Sequence, residues 1–203
     1  MIKIYLAMGH KDLENFIINH KPLLEKELKD SIEFVGRAVY REATLQGVKD
    51  TKPDILMLRE SLQGKLNISD LIYDIKVSSS KTRIIVLTGD RSIGDPFLAS
   101  LVNWGVYDLL IGNKVNTKEL LKSIVYPKEF SDVAMYAPKA TINENTNQVV
   151  YEQPIIPTQK VETKEEEQFD RKIEQATATK PIKINEVNPI KKEKPKQKKS
   201  LFG

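Results

Sequence analysis

From residue 1 to residue 127, short apolar runs alternate with apolar positions at helical spacing. Ile2, Ile4, Tyr5, Leu6 and Ala7 make a strand-like run closed by Gly9, and Leu13, Phe16, Ile17, Leu24 and Leu28 then recur on one helical face. Ile32 to Val35 reads as a second strand, and Ala43, Leu45 and Val48 as a short helix. Asp54 to Leu58 and Arg83 to Thr88 are continuous apolar runs rather than alternating ones, which marks strands covered on both faces. Between them, Ile68, Leu71, Ile72 and Ile75 predict a helix.

The next helix carries the clearest boundaries. Asp95 can cap it, Pro96 suits its first position, Leu98, Leu101 and Val102 line one face, and Gly105 can end it with a left-handed turn. Val106 to Ile111 is the fifth strand. Asn116 with Glu119 resembles a capping pair, followed by Leu120, Leu121, Ile124 and Val125 before Pro127 stops the helix. Strand and helix thus alternate five times. Parallel strands need right-handed crossovers, so the chain is expected to be α/β: a five-stranded parallel sheet, doubly wound, flavodoxin-like in order. Sheets of this kind carry ligands at the carboxyl ends of their strands, here near Met8–His10, Arg59–Glu60 and Thr88–Asp90.

The pattern changes after Pro127. Ser131 to Tyr136 reads as a last ordered stub. From Lys139 onward Asn, Thr, Gln, Glu, Lys and Pro prevail, a composition that buries too little apolar area to offset the entropy of ordering. Val161 to Ala176 has helix-forming residues, but Phe169 and Ile173 are its only sizeable apolar groups one turn apart, so alone in water it should be a marginal helix. The expected division is a folded domain over 1–127 and a long, mostly disordered polar tail over 128–203, ending in a basic cluster over 189–203.

Charge and composition then narrow the chemistry. Residues 1–127 hold 18 Lys/Arg against 16 Asp/Glu, so no single-sign field demands a nucleic-acid surface on the folded part. The chain has no cysteine, which removes disulfides, thiol nucleophiles and zinc–thiolate sites. With only His10 and His20 and no accompanying carboxylate cluster, no metal site is expected, nor any other cofactor. No serine elbow or catalytic triad is visible, so the chain is expected not to be an enzyme. The first apolar run is too short for a signal segment or membrane span, which suggests a cytoplasmic protein.

Three stretches resemble the receiver domain of bacterial response regulators. Lys52-Pro53-Asp54-Ile55-Leu56-Met57-Leu58-Arg59-Glu60-Ser61-Leu62-Gln63-Gly64 is similar to the receiver's third strand and following loop. Arg83-Ile84-Ile85-Val86-Leu87-Thr88-Gly89 is similar to the fourth strand with its switch threonine. Gly105-Val106-Tyr107-Asp108-Leu109-Leu110, through Lys118-Glu119-Leu120-Leu121, is similar to the receiver's ending. Receiver chemistry transfers a phosphoryl group to an aspartate, with Mg²⁺ held by carboxylates and a lysine neutralising the phosphoryl oxygens. The resemblance puts Arg59 at the phospho-acceptor position, Gly9 and His10 at the acidic pair, Gly112 at the lysine and Leu109 at the switch aromatic. Thr88 alone is retained, with strand capping its plainer role. An arginine stays protonated and cannot be the nucleophile. The resemblance therefore implies a degenerate phospho-site at Arg59, Glu60, Thr88, Gly9, His10 and Gly112, neutral or positive where a receiver is negative. Arg59 is expected either to pair with Glu60 or Asp90 as an internal strut, or to mimic a fixed switch state or meet an anionic ligand or partner.

Receiver-like domains without the phosphorylation set occur at the N-terminus of CpaE/TadZ-type ATPases, relatives of the ParA/MinD family, and residues 105–108 with the polar linker resemble that arrangement. No Gly-x-x-x-x-Gly-Lys occurs in this chain, so ATPase activity is not expected of it. The function expected is a phosphorylation-independent regulatory or localisation module acting by protein contact. Its partner would be a ParA/MinD-like ATPase or a pilus, secretion or conjugation apparatus, and homodimerisation is open to it. A nucleic-acid-associated regulator and a divergent phospho-switch are the alternatives. Phe97, Trp104, Tyr107 and Tyr126 are the candidate partner surface. Lys191, Lys192, Lys194, Lys196, Lys198 and Lys199 are either a solubilising tail or a weak, salt-sensitive contact to anionic membrane or nucleic acid, the membrane case placing the protein at the inner face.

Overall fold

The computed structural model describes residues 1–114, 116–137, 139–143, 148–152 and 163–177. Five parallel strands, β1 (Ile2–Ala7), β2 (Ile32–Arg37), β3 (Ile55–Arg59), β4 (Arg83–Thr88) and β5 (Asp108–Ile111), form one sheet in the order β2-β1-β3-β4-β5. The connecting helices are α1 (Lys11–Asn19), α2 (Lys21–Leu28), α3 (Arg41–Thr51), α4 (Ile68–Ser78), α5 (Pro96–Asn103) and α6 (Thr117–Val125). This is the expected doubly wound class, with the order that reverses between β1 and β3.

The sheet divides its side chains by parity, as a pleated strand must. Leu56, Leu58, Ile84 and Val86 face one side, where Leu71, Ile72 and Ile75 of α4 and Leu98, Leu101 and Val102 of α5 close the core. Ile55, Met57, Ile85 and Leu87 face the other, covered by Leu13, Phe16 and Ile17 of α1, Leu24 of α2 and Leu120, Leu121 and Ile124 of α6. Between β1 and β2 the register slips: Ile4 pairs with Phe34, but Tyr5 with Gly36. The bulge seats the Tyr5 ring between β2 and α3. A Cβ at Gly36 would stand 2.4 Å from Tyr5 Cε2 and one at Gly47 2.1 Å from Tyr5 Oη, so both positions are held by the ring's approach.

The caps follow the sequence. Asp95 accepts from the Phe97 and Leu98 N–H groups with Pro96 in the first turn, and Asn116 accepts from Lys118 and Glu119. Gly105 takes a positive φ of 73° after α5. A bidentate salt bridge from Arg83 to Asp108 ties β4 to β5, and the same guanidinium reaches the Ile124 and Ser123 carbonyls at the end of α6.

Three expectations need correction. The first helical stripe is two helices, because Pro22 lacks the N–H a continuous helix needs; the His20 N–H ends α1 on the Phe16 and Ile17 carbonyls instead. β5 starts at Asp108 rather than Val106, although Val106 is buried. Structure beyond Pro127 includes the ordered stub expected over Ser131–Tyr136 and extends past it. α7 (Phe130–Val133) and a 3₁₀ turn (Ala134–Tyr136) place Val133, and less completely Tyr136, on the α4/α5 side of the core. β6 (Lys139–Asn143) and β7 (Gln148–Glu152) pair antiparallel as a separate two-stranded sheet. α8 (Lys164–Thr177) is docked rather than isolated: Phe169 and Ile173 are fully buried in the α1/α2/α6 layer, and Phe169 meets the Tyr126 ring edge-on at 5.8 Å. Its two apolar groups suffice because α2 and α6 supply the other half of the contact. The expected tail features over 178–203, including the six terminal lysines, lie outside the described residues.

Candidate functional site

The carboxyl edge of the sheet gathers the residues singled out from the sequence. Arg59 is the last residue of β3 and pairs in register with Leu87 of β4. It is half-buried, and its guanidinium makes no hydrogen bond or salt bridge among the described residues. The expected strut to Glu60 or Asp90 is therefore absent. Glu60 opens the turn after β3 and is engaged elsewhere. Arg91, in the β4–α5 loop, grips both Glu60 carboxylate oxygens, with Nε 3.1 Å from Oε2, and also donates to Asp95 Oδ2 at 2.7 Å. The Gly89 N–H donates to Glu60 Oε2 at 3.1 Å, and the Arg91 guanidinium lies 4.7 Å from the centre of the Phe97 ring. Burial pushes the Glu60 carboxyl upward, but Arg91 and the Gly89 N–H together hold it below its ordinary value. Burial likewise opposes Asp95, and its helix-cap N–H groups and Arg91 prevail.

At the end of β1, Gly9 adopts a φ of +60°, and a Cβ there would meet Leu62 Cδ1 at 3.0 Å. Leu62 is itself buried, so an apolar side chain from the loop after β3 fills the space beside the strand end. An aspartate at position 9 would carry backbone strain and would press on the end of the Leu62 side chain. His10 serves α1: its Nδ1 accepts from the Leu13 N–H at 3.4 Å. Thr88 ends β4, buried, and its hydroxyl donates to the Gly89 carbonyl at 3.1 Å, the strand-capping role. Gly112 donates its N–H to the same carbonyl at 3.2 Å. Lys114 stands two residues beyond Gly112 and borders a small cavity shared with Thr88.

Together these ends frame an open cleft of about 430 Å³ lined by Arg41, Arg59, Glu60, Ser61, Thr88, Gly89 and Asn113, among others. Arg41 spends its two terminal nitrogens on the Leu66 and Glu60 carbonyls at 2.9 Å each, while its Nε is buried without a partner. Asn113 Oδ1 accepts from the Asp90 N–H at 3.3 Å.

Sequence reasoning overlooked four of these side chains: Glu14, Arg41, Arg91 and Asn113. Glu14 is 3% exposed, and one of its oxygens is unpartnered. Burial raises its pKa despite Arg37 at 3.7 Å and the Met8 and Gly9 backbone N–H groups. Its place between Leu13 and Ile17 on the apolar stripe was a usable signal, as was the Arg91–Asp95 spacing of four; nothing comparable marks Arg41 or Asn113.

The Mg²⁺ that the receiver resemblance implies would need free carboxylate oxygens at this edge. Here Glu60 is held by Arg91, burial raises the pKa of Glu14, Gly9 has no side chain and Arg59 is a cation. Among the described residues no group of three or more His, Asp or Glu could hold a metal ion. The residues do not fit the ion.

The candidate interface set is divided by the fold. Phe97, Trp104 and Tyr107 pack against the α4/α5 side, whereas Tyr126 belongs to the opposite layer under α8. Burial, then Glu27, pushes the Tyr126 phenol up to about 12. The exposed apolar surface near Trp104 comes from residues not expected: Tyr73 at 51% and Val77 at 69% exposure, one turn apart on α4, with the Tyr73 ring edge-on to Trp104 at 5.6 Å. Phe130, 49% exposed, stacks edge-on with Tyr107 at 5.9 Å. No described helix is long and apolar enough to cross a membrane.

No family profile matches the chain, and no curated protein matches it in sequence. Solved structures do match in fold. The isolated REC domain of RcsB from Salmonella enterica serovar Typhimurium, determined with the phosphomimetic BeF3-, is 17% identical over 67% of this chain and 98% of its own, with a TM-score of 0.51. The Salmonella typhimurium RcsB response regulator is 18% identical over 66% of each chain, with a TM-score of 0.50. A signal receiver domain of a DNA binding response regulator from Colwellia psychrerythraea 34H is 19% identical over 61% of this chain and 95% of its own, with a TM-score of 0.47. The five-stranded sheet and its helices thus carry the fold of response-regulator receiver domains.

Proposed function

We propose that this chain is a phosphorylation-independent module on the receiver fold, one that regulates or localises a partner by protein contact and catalyses no reaction. The observation that carries this reading is the inverted charge at the end of β3. Arg59 occupies the strand terminus, and the neighbouring carboxylate is already paired with Arg91. Such a site cannot recruit Mg²⁺ or accept a phosphoryl group, so a change of surface by phosphorylation has no starting point.

Contact is the remaining means of action. The patch of Tyr73, Val77 and Trp104, extended by Tyr107 and Phe130, offers exposed aromatic area of the kind that anchors interfaces. A ParA/MinD-like ATPase, or a component of a pilus, secretion or conjugation apparatus, is the proposed partner, in line with the resemblance to CpaE/TadZ-type N-terminal domains. The lysine-rich 189–203 segment would tether the complex to an anionic surface, membrane being the proposed one, in an otherwise cytoplasmic protein.

The test is binding of the purified chain to a Walker-motif ATPase encoded beside it. Wild-type chain should bind with or without acetyl phosphate and Mg²⁺, and Tyr73→Glu combined with Val77→Glu should abolish binding without altering the fold. Binding that requires acetyl phosphate and Mg²⁺ would overturn the reading.

A further inference from the structure

The Arg59 cleft has properties that loss of phosphotransfer alone does not explain. Two arginines, Arg41 and Arg59, line it, and neither makes a salt bridge among the described residues. The one carboxylate in the lining, Glu60, is held by the Gly89 N–H and by Arg91, which it shares with Asp95, so neither of its oxygens reaches for Arg41 or Arg59. Arg41 gives its hydrogen bonds to neutral carbonyls, its charge is felt by the adjacent Glu42, and its Nε is buried and unpartnered. Neutral donors stand nearby. The Ser61 hydroxyl has no partner among the described residues, and Asn113, its Oδ1 fixed by the Asp90 N–H, presents an amide nitrogen without one.

A half-buried guanidinium without a counter-ion, beside a second arginine and two neutral donors, is a receptor for an oxyanion. Arginine's planar fork matches such groups bidentately. The cleft volume of about 430 Å³ lies within the usual range of small-molecule sites and exceeds what a bare anion fills. We infer that the carboxyl edge reversibly binds a small phosphate-bearing molecule, a phosphate monoester or inorganic phosphate, without Mg²⁺ and without any covalent step. The site would thus read the concentration of a phosphorylated metabolite instead of receiving a phosphoryl group. This rests on the charge inversion of the proposed function, but the two fail separately. Mg²⁺-dependent covalent capture of a phosphoryl group would end that proposal, whereas missing reversible binding would end only this one.

The experiment is amide chemical-shift mapping of the full chain in EDTA, titrated in parallel with inorganic phosphate, ribose 5-phosphate and, at matched ionic strength, sodium chloride. Saturable shifts are expected at residues 59–61, 88–89 and 112–113, with phosphate or the monoester but not chloride. The tighter of the two identifies the source. Arg59→Gln should bind about tenfold more weakly, the loss expected for one charge-assisted hydrogen bond, and Arg59→Lys should fall between. The unliganded spectrum of each variant reports its fold. Shifts that do not saturate, shifts elsewhere on the surface, equal response to chloride, or undiminished binding by a folded Arg59→Gln would each overturn the inference.

Discussion

Replacing Phe169 by alanine probes the feature that departs furthest from sequence expectation, the docking of α8. Phe169 is fully buried, against Tyr126 and the α2/α6 layer. A buried Phe→Ala change costs about 3–5 kcal/mol when the surroundings cannot relax. Here they can, because α8 is free to leave. Beyond Phe169, its ties include Ile173, an exposed pair of Glu174 with Lys118, and salt bridges that reach Lys122 from Asp170 at 3.4 Å and Glu27 from Lys172 at 2.7 Å. Such partly exposed pairs contribute roughly 0.2–1 kcal/mol each. The loss is therefore capped at the free energy of docking. Phe169→Ala should release α8 and lower stability by about 2–3 kcal/mol, the burial worth of one large apolar side chain. Urea denaturation measures the loss, and hydrogen exchange of the 164–177 amides locates it. The variant should then match a chain ending at residue 162 in urea stability. Wild-type amides in α8 that exchange as fast as unstructured peptide, or a Phe169→Ala protein within 0.5 kcal/mol of wild type on the flat-surface expectation, would refute the docking argument.

Arg83→Ala should cost about 3 kcal/mol by chemical denaturation, since it strands the buried Asp108 carboxylate and two carbonyls at the end of α6. Glu14 has its pKa raised in the folded state, so its unfavourable contribution is absent below the ordinary glutamate value of 4.5 and grows as pH rises through the folded value. Glu14→Gln should accordingly gain stability over wild type from acidic to neutral pH, and a difference that shrinks across that range would contradict the assignment. The Tyr126 phenol should ionise near 12 by ultraviolet titration and return towards 10.0 when α8 is removed. Because that shift is also upward, stability should fall as pH climbs from 10 towards 12.

Much of the fold was legible because its elements announce themselves locally. The unbroken apolar runs at 55–58 and 84–87, short and rich in β-branched residues, suit strands covered on both faces, and Asp95-Pro96 and Asn116 cap the helices they promised. Pro22 was a readable break that the run of apolar residues concealed. The docking of α8 was not legible, since a helix with Phe169 and Ile173 alone is marginal and the groove that completes it is built from residues more than forty positions away. At the site, the position of Arg59 at a strand end followed from its place after Ile55–Leu58. Its pairing did not, because the choice between Glu60's partners depends on a loop from the next strand bringing Arg91 across. The aromatic set was separated for a similar reason: sequence shows that Trp104 and Tyr126 border helices, not which side of the sheet each helix covers.

The central claim is that a cation at the end of β3 has replaced phosphoryl chemistry at this edge. Intact-mass analysis after incubation with acetyl phosphate, with and without millimolar Mg²⁺, tests it most directly. Unchanged mass in both conditions, for wild type and for Arg59→Gln alike, is the predicted result; a Mg²⁺-dependent gain of one phosphoryl group on the wild-type chain would contradict it.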